Sequence, residues 1–489
     1  MSRLARWCRQ ESYPAFAGAV VAGALLSVTH GYAPELAPVA PIPLLLGIRL
    51  SPPRRCFYLG LICGVLEAAI LAGIAIAGWT LALGLALDYA LFRAGFAVVL
   101  GASRARGLAF VFAAPALWSL LEWLHCQVPL GLPNLLGDTQ HLGFLLPLAR
   151  MGGTYLISFF LVWGAAVLAE WLLQRLRPSA VPVTSMLEVA LAAALGTVAL
   201  TAMLAGARWV LPSSSRSIRA VAVQGGLPTW VYEREESTPA WEGASERVYA
   251  MLTARAPASD LLVWPETSVL RTWGEDERFA ERMRARRRSH GGAFLVGVSR
   301  REGPGRYFNS AVFLAGGGRE AFANKRRLVV HAEQHFSPGI GPQLLSWGPT
   351  TLGVIFCLES VVPDYGRELV RAGAELLVVL AEGGRFGRTP VGRLHAQRSI
   401  VRAVEMGRSI VHAGQQGYSM LITPAGQSLG MQPPYVAANA FGTIPLATGQ
   451  TPFVRYGAWI VGIDMLVLAW VGVGRVARRR NSKQAKATA

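Results

Sequence analysis

The sequence predicts two fold classes in one chain: a multi-span α-helical membrane domain and an α/β domain. The composition is too apolar for a soluble protein of this length, with 52% hydrophobic residues and a mean hydropathy of +0.37 over 489 residues. Long apolar runs fill the first part of the chain and recur near its C-terminus. Between them, residues 212–453 alternate short β-branched runs with charged, helix-prone segments, which is typical of an α/β domain.

Eight apolar runs are candidate membrane spans, because a helix needs about 20 mostly apolar residues to cross a bilayer. They are residues 14–29, 36–50, 57–78, 80–101, 107–125, 152–173, 184–208 and 457–474. Prolines interrupt the second run, which is also short. The first follows several arginines, as in a secretory signal, but no small-residue cleavage site follows it, so we expect it to be uncleaved.

Arginine clusters predict the orientation of these spans. With eight spans, every cluster falls on the same side, which the positive-inside rule makes cytoplasmic together with both termini. The clusters are Arg3/Arg6/Arg9, Arg54/Arg55, Arg104/Arg106, Arg175/Arg177 and Arg475/Arg478/Arg479/Arg480. We therefore expect a seven-span membrane domain at 1–211, an external α/β domain at 212–453, and an eighth span with a basic tail at 454–489.

The net charge of +18 does not predict nucleic-acid binding, because the arginines are spread along the chain and many lie beside apolar segments. Lysine is nearly absent. Lys325 is the only lysine before the C-terminal tail, which carries Lys483 and Lys486. Because arginine's broad fork cannot replace a compact ammonium, the retained lysine indicates a functional role.

The α/β segment contains eight candidate strands and four candidate helices. The strands are Ile218–Gln224, Asp260–Trp264, Ala293–Val298, Ser310–Leu314, Thr351–Phe356, Leu376–Leu380, Ser409–Ala413 and Ser419–Ile422. The helices are residues 239–255, 276–289, 363–372 and 391–406.

Three of these strands are followed by reactive or charged residues. Glu266 follows Asp260–Trp264 after a proline, Lys325 follows Ser310–Leu314 after a glycine-rich turn, and Cys357 comes directly after Thr351–Phe356. A carboxylate, an ammonium and a thiol at strand ends form a set for covalent catalysis. Glu266 would take the thiol proton, and Lys325 would stabilise the thiolate and then an oxyanion, with the backbone N–H of Leu358 as second donor. The alternatives are a buried core cysteine, a helix-capping carboxylate and a surface lysine.

The sequence does not predict a metal or another cofactor. The cysteines, at positions 8, 56, 63, 126 and 357, lack the paired spacing of a zinc site or a disulfide framework. His331 and His335 are four residues apart on a possible helix, but no further ligand motif follows them. Asp88, Glu122 and Asp464 lie within the candidate spans, where a functional role and a structural hydrogen bond are equally open.

Short motifs along nearly the whole chain resemble those of the carbon–nitrogen hydrolase (nitrilase) superfamily. Within it, they are similar to its membrane branch, the apolipoprotein N-acyltransferase family. The motifs are Val221–Gly225, Val263–Thr267, Asn324-Lys325 with Leu328-Val329 and Glu333, Cys357 with Glu359, 402–408 and 449–457, and in the membrane part Pro115–Trp123, Gly131–Pro133 and Gly153–Phe159.

The resemblance implies an αββα sandwich carrying a Glu–Lys–Cys triad, in which Glu266, Lys325 and Cys357 have the roles given above. It also implies supporting roles for Glu333 and Glu359. The implied reaction moves an acyl chain from a phospholipid, through a Cys357 thioester, to the N-terminal amine of a diacylated apolipoprotein. The implied location is the bacterial inner membrane, with 212–453 on the periplasmic face. We expect a monomer that has the bilayer and these two substrates as its partners.

The chain departs from the family pattern around the triad. Leu358 stands where the family has Tyr, and Tyr232-Glu233 replaces Lys-Trp. Residues 330–332 replace Pro-Phe-Gly, and Glu382–Gly387 reads Glu-Gly-Gly-Arg-Phe-Gly in place of Asn-Asp-Ala-Trp-Phe-Gly. Two other functions stay open: a membrane-tethered nitrilase-like amidase or hydrolase, and a non-catalytic lipoprotein-binding paralogue.

Overall fold

The computed structural model describes residues 13–69, 79–128, 133–176, 184–210, 213–214, 216–329, 332–384 and 389–487. The chain divides into two compact units. The helical unit comprises Met1–Leu148, Gly152–Ala207 and Ala458–Ala489, and the α/β unit comprises Ala149–Met151 and Arg208–Gly457. Several residues singled out above lie outside the described residues: Arg3, Arg6, Cys8, Arg9, Gly131, Leu132, Arg177, Val330, His331 and Arg385–Gly387.

The helical unit is built mainly of apolar helices. In chain order they are α1 (Tyr13–Gly31), α2 (Ile42–Leu50), α3 (Pro53–Glu67), α4 (Trp79–Ser103), α5 (Leu108–Gln127), α6 (Ala149–Leu176), α7 (Thr184–Trp209) and a C-terminal helix (Trp459–Ala487). The first three residues of α6 belong to the α/β unit.

The predicted count of eight spans is not confirmed. Within the described residues, six helical segments are long and apolar enough to cross a membrane. The run at 36–50 falls short, because α2 has only nine residues and so extends about 14 Å, against a hydrocarbon thickness of about 30 Å. Prolines bound it on both sides, with Pro41 before it and Ser51-Pro52-Pro53 after it. The run at 57–78 is described only as far as residue 69.

Two arginines of the helical unit are held in ion pairs with buried carboxylates. The Arg93 guanidinium donates to both carboxylate oxygens of Glu67 at 2.5 and 2.7 Å, and it lies 3.8 Å from the centre of the Trp118 ring. Arg49 likewise pairs with Glu170. A fork-to-fork pair satisfies both partners at once, which a buried charge requires.

The carboxylates that the sequence places in candidate spans also have partners. Asp88 lies 2.5 Å from the His125 ring nitrogen, and Asp464 accepts from the Ser119 hydroxyl at 2.6 Å. Glu122 accepts from the Trp118 indole and from the Leu136 backbone, each at 2.8 Å. These contacts are those of structural hydrogen bonds within the helical unit.

The α/β unit contains two sheets. Its strands are β1 (Arg216–Gln224), β2 (Leu261–Trp264), β3 (Thr272–Trp273), β4 (Ala293–Arg301), β5 (Tyr307–Leu314), β6 (Glu320–Asn324), β7 (Leu344–Trp347), β8 (Thr350–Phe356), β9 (Leu376–Ala381), β10 (Ser409–Gly414), β11 (Ser419–Ile422), β12 (Ser428–Gln432) and β13 (Ala438–Leu446). One sheet has the order β13-β1-β2-β4-β5-β6, with β3 beside β4, and the other has the order β12-β11-β10-β9-β8-β7.

Apolar side chains from the two sheets form one shared core. Leu261 and Val263 of the first sheet belong to the same buried cluster as Val354, Phe356 and Val378 of the second. The opposite face of the first sheet packs with Tyr249, Phe279 and Met283 of flanking helices. The helices of the unit are α8 (Thr229–Ser237), α9 (Ala244–Ala254), α10 (Glu277–His290), α11 (Pro363–Arg371), α12 (Pro390–Met406) and α13 (Pro452–Tyr456).

Each predicted strand lies within or next to an observed one, whereas β3, β6, β7, β12, β13 and helix α8 were not predicted. Strands β3, β6, β7 and β12 have at most five residues, and β13 has only three fully buried residues among its nine, so none of them shows a strong apolar run. The predicted helix at 239–255 is a 3₁₀ turn at Pro239–Trp241 followed by α9. His335 lies in a turn, so the helix that was expected to carry it is wrong at that residue.

Candidate active site

The site lies where parallel strands of the two sheets end. Strand β2 pairs in parallel with β1 and β4, and its last residue is followed by Pro265 and Glu266. Strand β8 pairs in parallel with β9 and runs into a 3₁₀ turn at Cys357–Val361. Both ends are fixed by buried strands, so the side chains that follow them have little freedom.

The backbone is strained at two points of the site. Cys357 has a φ of +37°, and Thr267, directly after Glu266, has a φ of +41°. Among the described residues, only Arg104 and Tyr435 are other non-glycine residues with positive φ. This conformation costs about 1–3 kcal/mol and persists only where the surroundings enforce it, as they often do at functional sites.

Lys325 is held by two carboxylates. It follows β6, is 2% exposed, and its Nζ lies 2.8 Å from Glu266 Oε1 and 2.9 Å from Glu333 Oε1. The Asn309 side-chain amide donates to the same two oxygens at 2.7 and 2.8 Å. The backbone N–H of Lys325 also donates to the carbonyl of Asn309 at 2.9 Å, which ties the two residues together.

This arrangement leaves a donor and an acceptor uncommitted. The ammonium has three N–H donors, and its hydrogen bonds within the described part of the chain use two of them. The second oxygen of Glu266, Oε2, is buried and has no hydrogen-bond partner among the described residues. A buried polar atom without a partner is costly, which makes this oxygen a candidate proton acceptor.

The charges of the three residues act on one another. Burial first, and then the charge of Glu266, raise the pKa of the Cys357 thiol well above its ordinary value, against the opposing effect of Lys325. Burial alone would lower the pKa of Lys325, but Glu266, Cys357 and Glu333 outweigh it, so the pKa is raised. The lysine is therefore an ammonium, and the cysteine is a protonated thiol.

Glu359 connects the bend at Cys357 to the segment after Lys325. Its Oε2 accepts from the Phe356 backbone at 2.9 Å, and its Oε1 accepts from the N–H groups of Arg326 and Arg327 at 2.6 and 3.0 Å. Glu359 is buried, and the three bonds fix the positions of the nucleophile and the lysine relative to each other. Leu358, between Cys357 and Glu359, is half-buried in the 3₁₀ turn.

Two side chains hold the carbonyl of Cys357. The Ser360 hydroxyl donates to it at 2.8 Å, and the Nε2 of His395 lies 2.7 Å from it. Because a carbonyl only accepts, this nitrogen of His395 carries a proton. Burial lowers the pKa of His395 to about 4, so the ring is neutral near pH 7.

The Cys357 thiol itself donates to the backbone carbonyl of Glu382, with the sulfur and oxygen 3.8 Å apart. Register explains the contact: Phe356 of β8 pairs with Leu380 of β9, so the residues after both strands emerge side by side. The Glu382 side chain turns back and accepts from the Gly384 backbone at 2.8 Å.

The structure places Glu266, Lys325 and Glu333 in one hydrogen-bonded cluster. Glu359 ties the turn that contains Cys357 and Leu358 to the segment after Lys325. Sequence reasoning missed Asn309, Ser360 and His395. Asn309 and Ser310 are consecutive polar residues in a buried strand that is otherwise mainly apolar, which is the signal that would have drawn attention to Asn309. Across the residues that the structure describes, no group of three His, Cys, Asp or Glu side chains is placed to hold a metal ion.

Comparison with known proteins shows to which class of domain the α/β unit belongs. Residues 219–450 match the family model described as carbon-nitrogen hydrolase, and residues 22–167 match that of the apolipoprotein N-acyltransferase N-terminal domain. Among solved structures, an amidase from Nesterenkonia sp. aligns over 50% of this chain and 95% of its own, at 22% identity and a TM-score of 0.38. The α/β unit is thus a carbon–nitrogen hydrolase domain.

Whole-length relatives define the family. A protein of Azotobacter vinelandii named apolipoprotein N-acyltransferase is 30% identical over 97% of this chain and 98% of its own length. One of the same name from Geobacter metallireducens is 28% identical over 92% of this chain and 94% of its own. The chain belongs to the apolipoprotein N-acyltransferase family.

Proposed function

We propose that this protein transfers an acyl chain from a phospholipid to the N-terminal amine of a diacylglyceryl-cysteine apolipoprotein, through a thioester on Cys357. The observation that carries the proposal is the Lys325 ammonium, shared between Glu266 and Glu333 and acting electrostatically on the Cys357 sulfur. The relatives named for this activity match the chain along nearly its whole length.

In the first half-reaction, the Cys357 thiol gives its proton to Glu266 and the sulfur attacks the carbonyl of the phospholipid's sn-1 ester. The uncommitted N–H of Lys325 and the backbone N–H of Leu358 stabilise the resulting oxyanion. A C–S bond forms, the C–O bond to the glycerol breaks, and Glu266 returns the proton to the leaving oxygen. The products are a Cys357 thioester and a lysophospholipid.

In the second half-reaction, the neutral amine of the acceptor attacks the thioester carbonyl. A C–N bond forms and the C–S bond breaks. Glu266 takes a proton from the attacking nitrogen and gives it to the departing sulfur, which restores the thiol. Glu333 and Asn309 keep Lys325 oriented during both steps, and Glu359 holds the bend.

The proposal includes the arrangement in the membrane. We propose that the helical unit lies in an inner membrane, with both termini cytoplasmic and residues 212–453 on the outer face, in line with the arginine clusters. Both substrates are anchored in the bilayer by acyl chains, so a catalytic unit beside it meets them at high effective concentration. A Glu236→Cys variant should react with an impermeant thiol reagent on intact cells. Labelling only after lysis would contradict this orientation.

The central experiment is mass spectrometry of the purified protein after incubation with phospholipid. We expect a hydroxylamine-labile acyl adduct on Cys357, formed together with one equivalent of lysophospholipid. The Cys357→Ala variant should lack the adduct, and the matched Cys126→Ala variant should retain it.

Other outcomes would support the other functions. An adduct that passes to water at the same rate with and without a diacylated acceptor peptide would favour a hydrolase. A folded protein that binds the acceptor peptide but forms no adduct with any phospholipid would favour a binding protein and overturn the proposal.

A further inference from the structure

Two buried side chains hold the carbonyl of Cys357, and the mechanism above uses neither of them. The Ser360 hydroxyl donates to this carbonyl at 2.8 Å, and the Nε2 of His395 donates to it at 2.7 Å. The Ser360 oxygen and His395 Nε2 are also only 3.0 Å apart, so the three groups form one buried cluster. Ser360 belongs to the turn that follows β8 and His395 belongs to helix α12, so the carbonyl is fixed from two separate elements.

The direction of this carbonyl sets the direction of the next N–H group. The Cys357–Leu358 peptide is trans, and a trans peptide is planar with its C=O and N–H pointing in opposite directions. Because the carbonyl points at His395, the N–H of Leu358 points away from α12. Leu358 is the second residue of the 3₁₀ turn, and the first N–H groups of such a turn have no acceptor within it. The turn therefore leaves this N–H for a group outside the turn.

The peptide needs these bonds because the residue before it is strained. Cys357 has a φ of +37°, a conformation that a residue with a side chain adopts only where its surroundings enforce it. Glu359 fixes the position of the turn, but its hydrogen bonds go to backbone N–H groups other than that of the Cys357–Leu358 peptide. Ser360 and His395 bond to that peptide directly, so they control its rotation.

We propose that His395 and Ser360 are positioning residues for the oxyanion: by holding the Cys357 carbonyl, they aim the Leu358 N–H at the oxygen of the carbonyl under attack. This inference rests on the proposed function, because that oxygen becomes an anion only when the sulfur attacks an acyl group. It gives the second donor, beside Lys325, a fixed direction before the substrate arrives, which is what makes such donors effective. The donor is a backbone group, so it is compatible with the leucine at 358, where the family has Tyr.

His395 suits this role because it donates without adding a charge. Burial lowers the pKa of its ring to about 4, so near pH 7 the ring is neutral and its one N–H is the one at the Cys357 carbonyl. A neutral donor orients the peptide and leaves the electrostatics of the sulfur to Glu266 and Lys325, the charges that act on it most strongly after burial.

The first test compares two buried serines that differ in one contact. Ser360 lies 3.0 Å from a ring nitrogen of His395 and also donates to the Cys357 carbonyl. Ser399 lies 2.8 Å from a ring nitrogen of His412 and is the matched control. With saturating phospholipid, we expect Ser360→Ala to form the Cys357 adduct about tenfold more slowly, with little change in the phospholipid concentration that gives the half-maximal rate. Ser399→Ala should keep the rate of the unaltered protein, and equal rates in the two variants would contradict the proposal.

The second test removes the His395 donor and then restores it. In His395→Leu the ring N–H is lost, and we expect adduct formation at saturating phospholipid to fall about 10- to 100-fold. In His395→Gln an amide N–H can take the place of Nε2 at the Cys357 carbonyl, so this variant should recover most of the rate. Equal losses in the two variants would show that the donor is not what the site needs, and would overturn the inference.

The third test separates the direction of the oxyanion donor from the position of the thiol. Iodoacetamide alkylates Cys357 at a saturated carbon, so no oxyanion forms. A long-chain aldehyde instead adds to the thiol, which forms a C–S bond and turns the carbonyl oxygen into a hydroxyl at the oxyanion position.

In Ser360→Ala and His395→Leu, we expect alkylation at nearly the rate of the unaltered protein. The Ki of the aldehyde should rise by about the same factor as the rate of adduct formation falls. Alkylation reduced as much as acyl transfer would mean that the thiol itself has moved, and would overturn the inference. Absence of the Cys357 adduct in the unaltered protein would instead overturn the proposed function itself.

Discussion

One buried cluster in each unit holds its charges in a different way. In the helical unit, Arg93 is matched by both oxygens of Glu67, and Arg49 is matched by Glu170. In the α/β unit, one lysine serves two carboxylates, and an oxygen of Glu266 stays without a partner among the described residues. Both arrangements are buried, so burial alone does not distinguish them.

The difference lies in what each arrangement leaves available. In a closed pair, such as Arg93 with Glu67, the donors and acceptors bind each other. Such a pair can hold helices together, but it leaves no hydrogen-bonding group for a substrate. Among the described residues, the α/β site keeps one N–H of Lys325 and one oxygen of Glu266 without a partner, beside the strained backbone of Cys357. Around Lys325, incomplete pairing of buried charge accompanies the strained backbone of Cys357, and the two features together favour a chemical role for this cluster.

Replacing the shared lysine should have the largest effect. Lys325→Arg keeps the charge, but the guanidinium is bulkier and planar, and it cannot place donors on Glu266, Glu333 and an oxyanion at the same time. We expect kcat for acyl transfer to fall at least about 10³-fold. Arg326→Lys, at a neighbouring position whose side chain pairs with the half-exposed Glu368, is the matched control and should stay active. Near-normal turnover of Lys325→Arg would mean that the site needs only a positive charge.

Glu266 and Cys357 could be singled out from the sequence because each follows a strong local signal. Val354, Ile355 and Phe356 form an apolar run, and Cys357 stands at its end, as Glu266 does after Leu261–Trp264. The lysine was found differently, through its isolation in an arginine-rich chain. Its strand, β6, was missed because only one of its five residues is fully buried.

What the sequence did not reveal depends on contacts between distant segments. Asn309 meets Glu266 from 43 residues away, and His395 meets Cys357 from 38 residues away. Strand β13 pairs with β1 across the whole α/β unit, and several of its side chains are exposed, so its pattern is weak. Helix α2 was read as a span because composition does not show where flanking prolines end a helix.

Removing one partner of a buried ion pair should have the next largest effect, and this effect should be on the free energy of unfolding. In Glu67→Leu, the buried Arg93 guanidinium loses the carboxylate that neutralises it, and we expect the free energy of unfolding to fall by about 3 kcal/mol. Denaturant unfolding in detergent, followed by tryptophan fluorescence, measures this loss.

A double variant tests whether Glu67 and Arg93 are needed only to neutralise each other's charge. Glu67→Leu combined with Arg93→Met removes both charges, so it should recover most of the stability and keep the adduct on Cys357. A double variant as unstable as Glu67→Leu alone would show that the Arg93 side chain is needed for more than its charge, for example through its contact with the Trp118 ring.

The smallest effect should come from a buried group that stays uncharged. His395, which contacts the Cys357 carbonyl, has a pKa lowered to about 4 by burial first and by the charges of Arg398 and Lys325 next. Between pH 6.5 and pH 4 the unfolded chain binds a proton that the folded chain does not, so stability should fall as the pH falls through this window. The expected contribution is about 2 kcal/mol at pH 5.

The His395→Asn variant, unfolded by denaturant at pH 7 and at pH 5, isolates this contribution. Its stability should change less between the two pH values than that of the unaltered protein, because asparagine does not titrate. His412 lies beside His395, and burial lowers its pKa as well, so adding His412→Asn should flatten the dependence further. If the free energy of unfolding of His395→Asn changed with pH as much as that of the unaltered protein, His395 would already be protonated in the folded chain at pH 5. The α/β unit would then bury a positive charge at His395 as well. The comparison with the helical unit would in that case apply only to the cluster around Lys325.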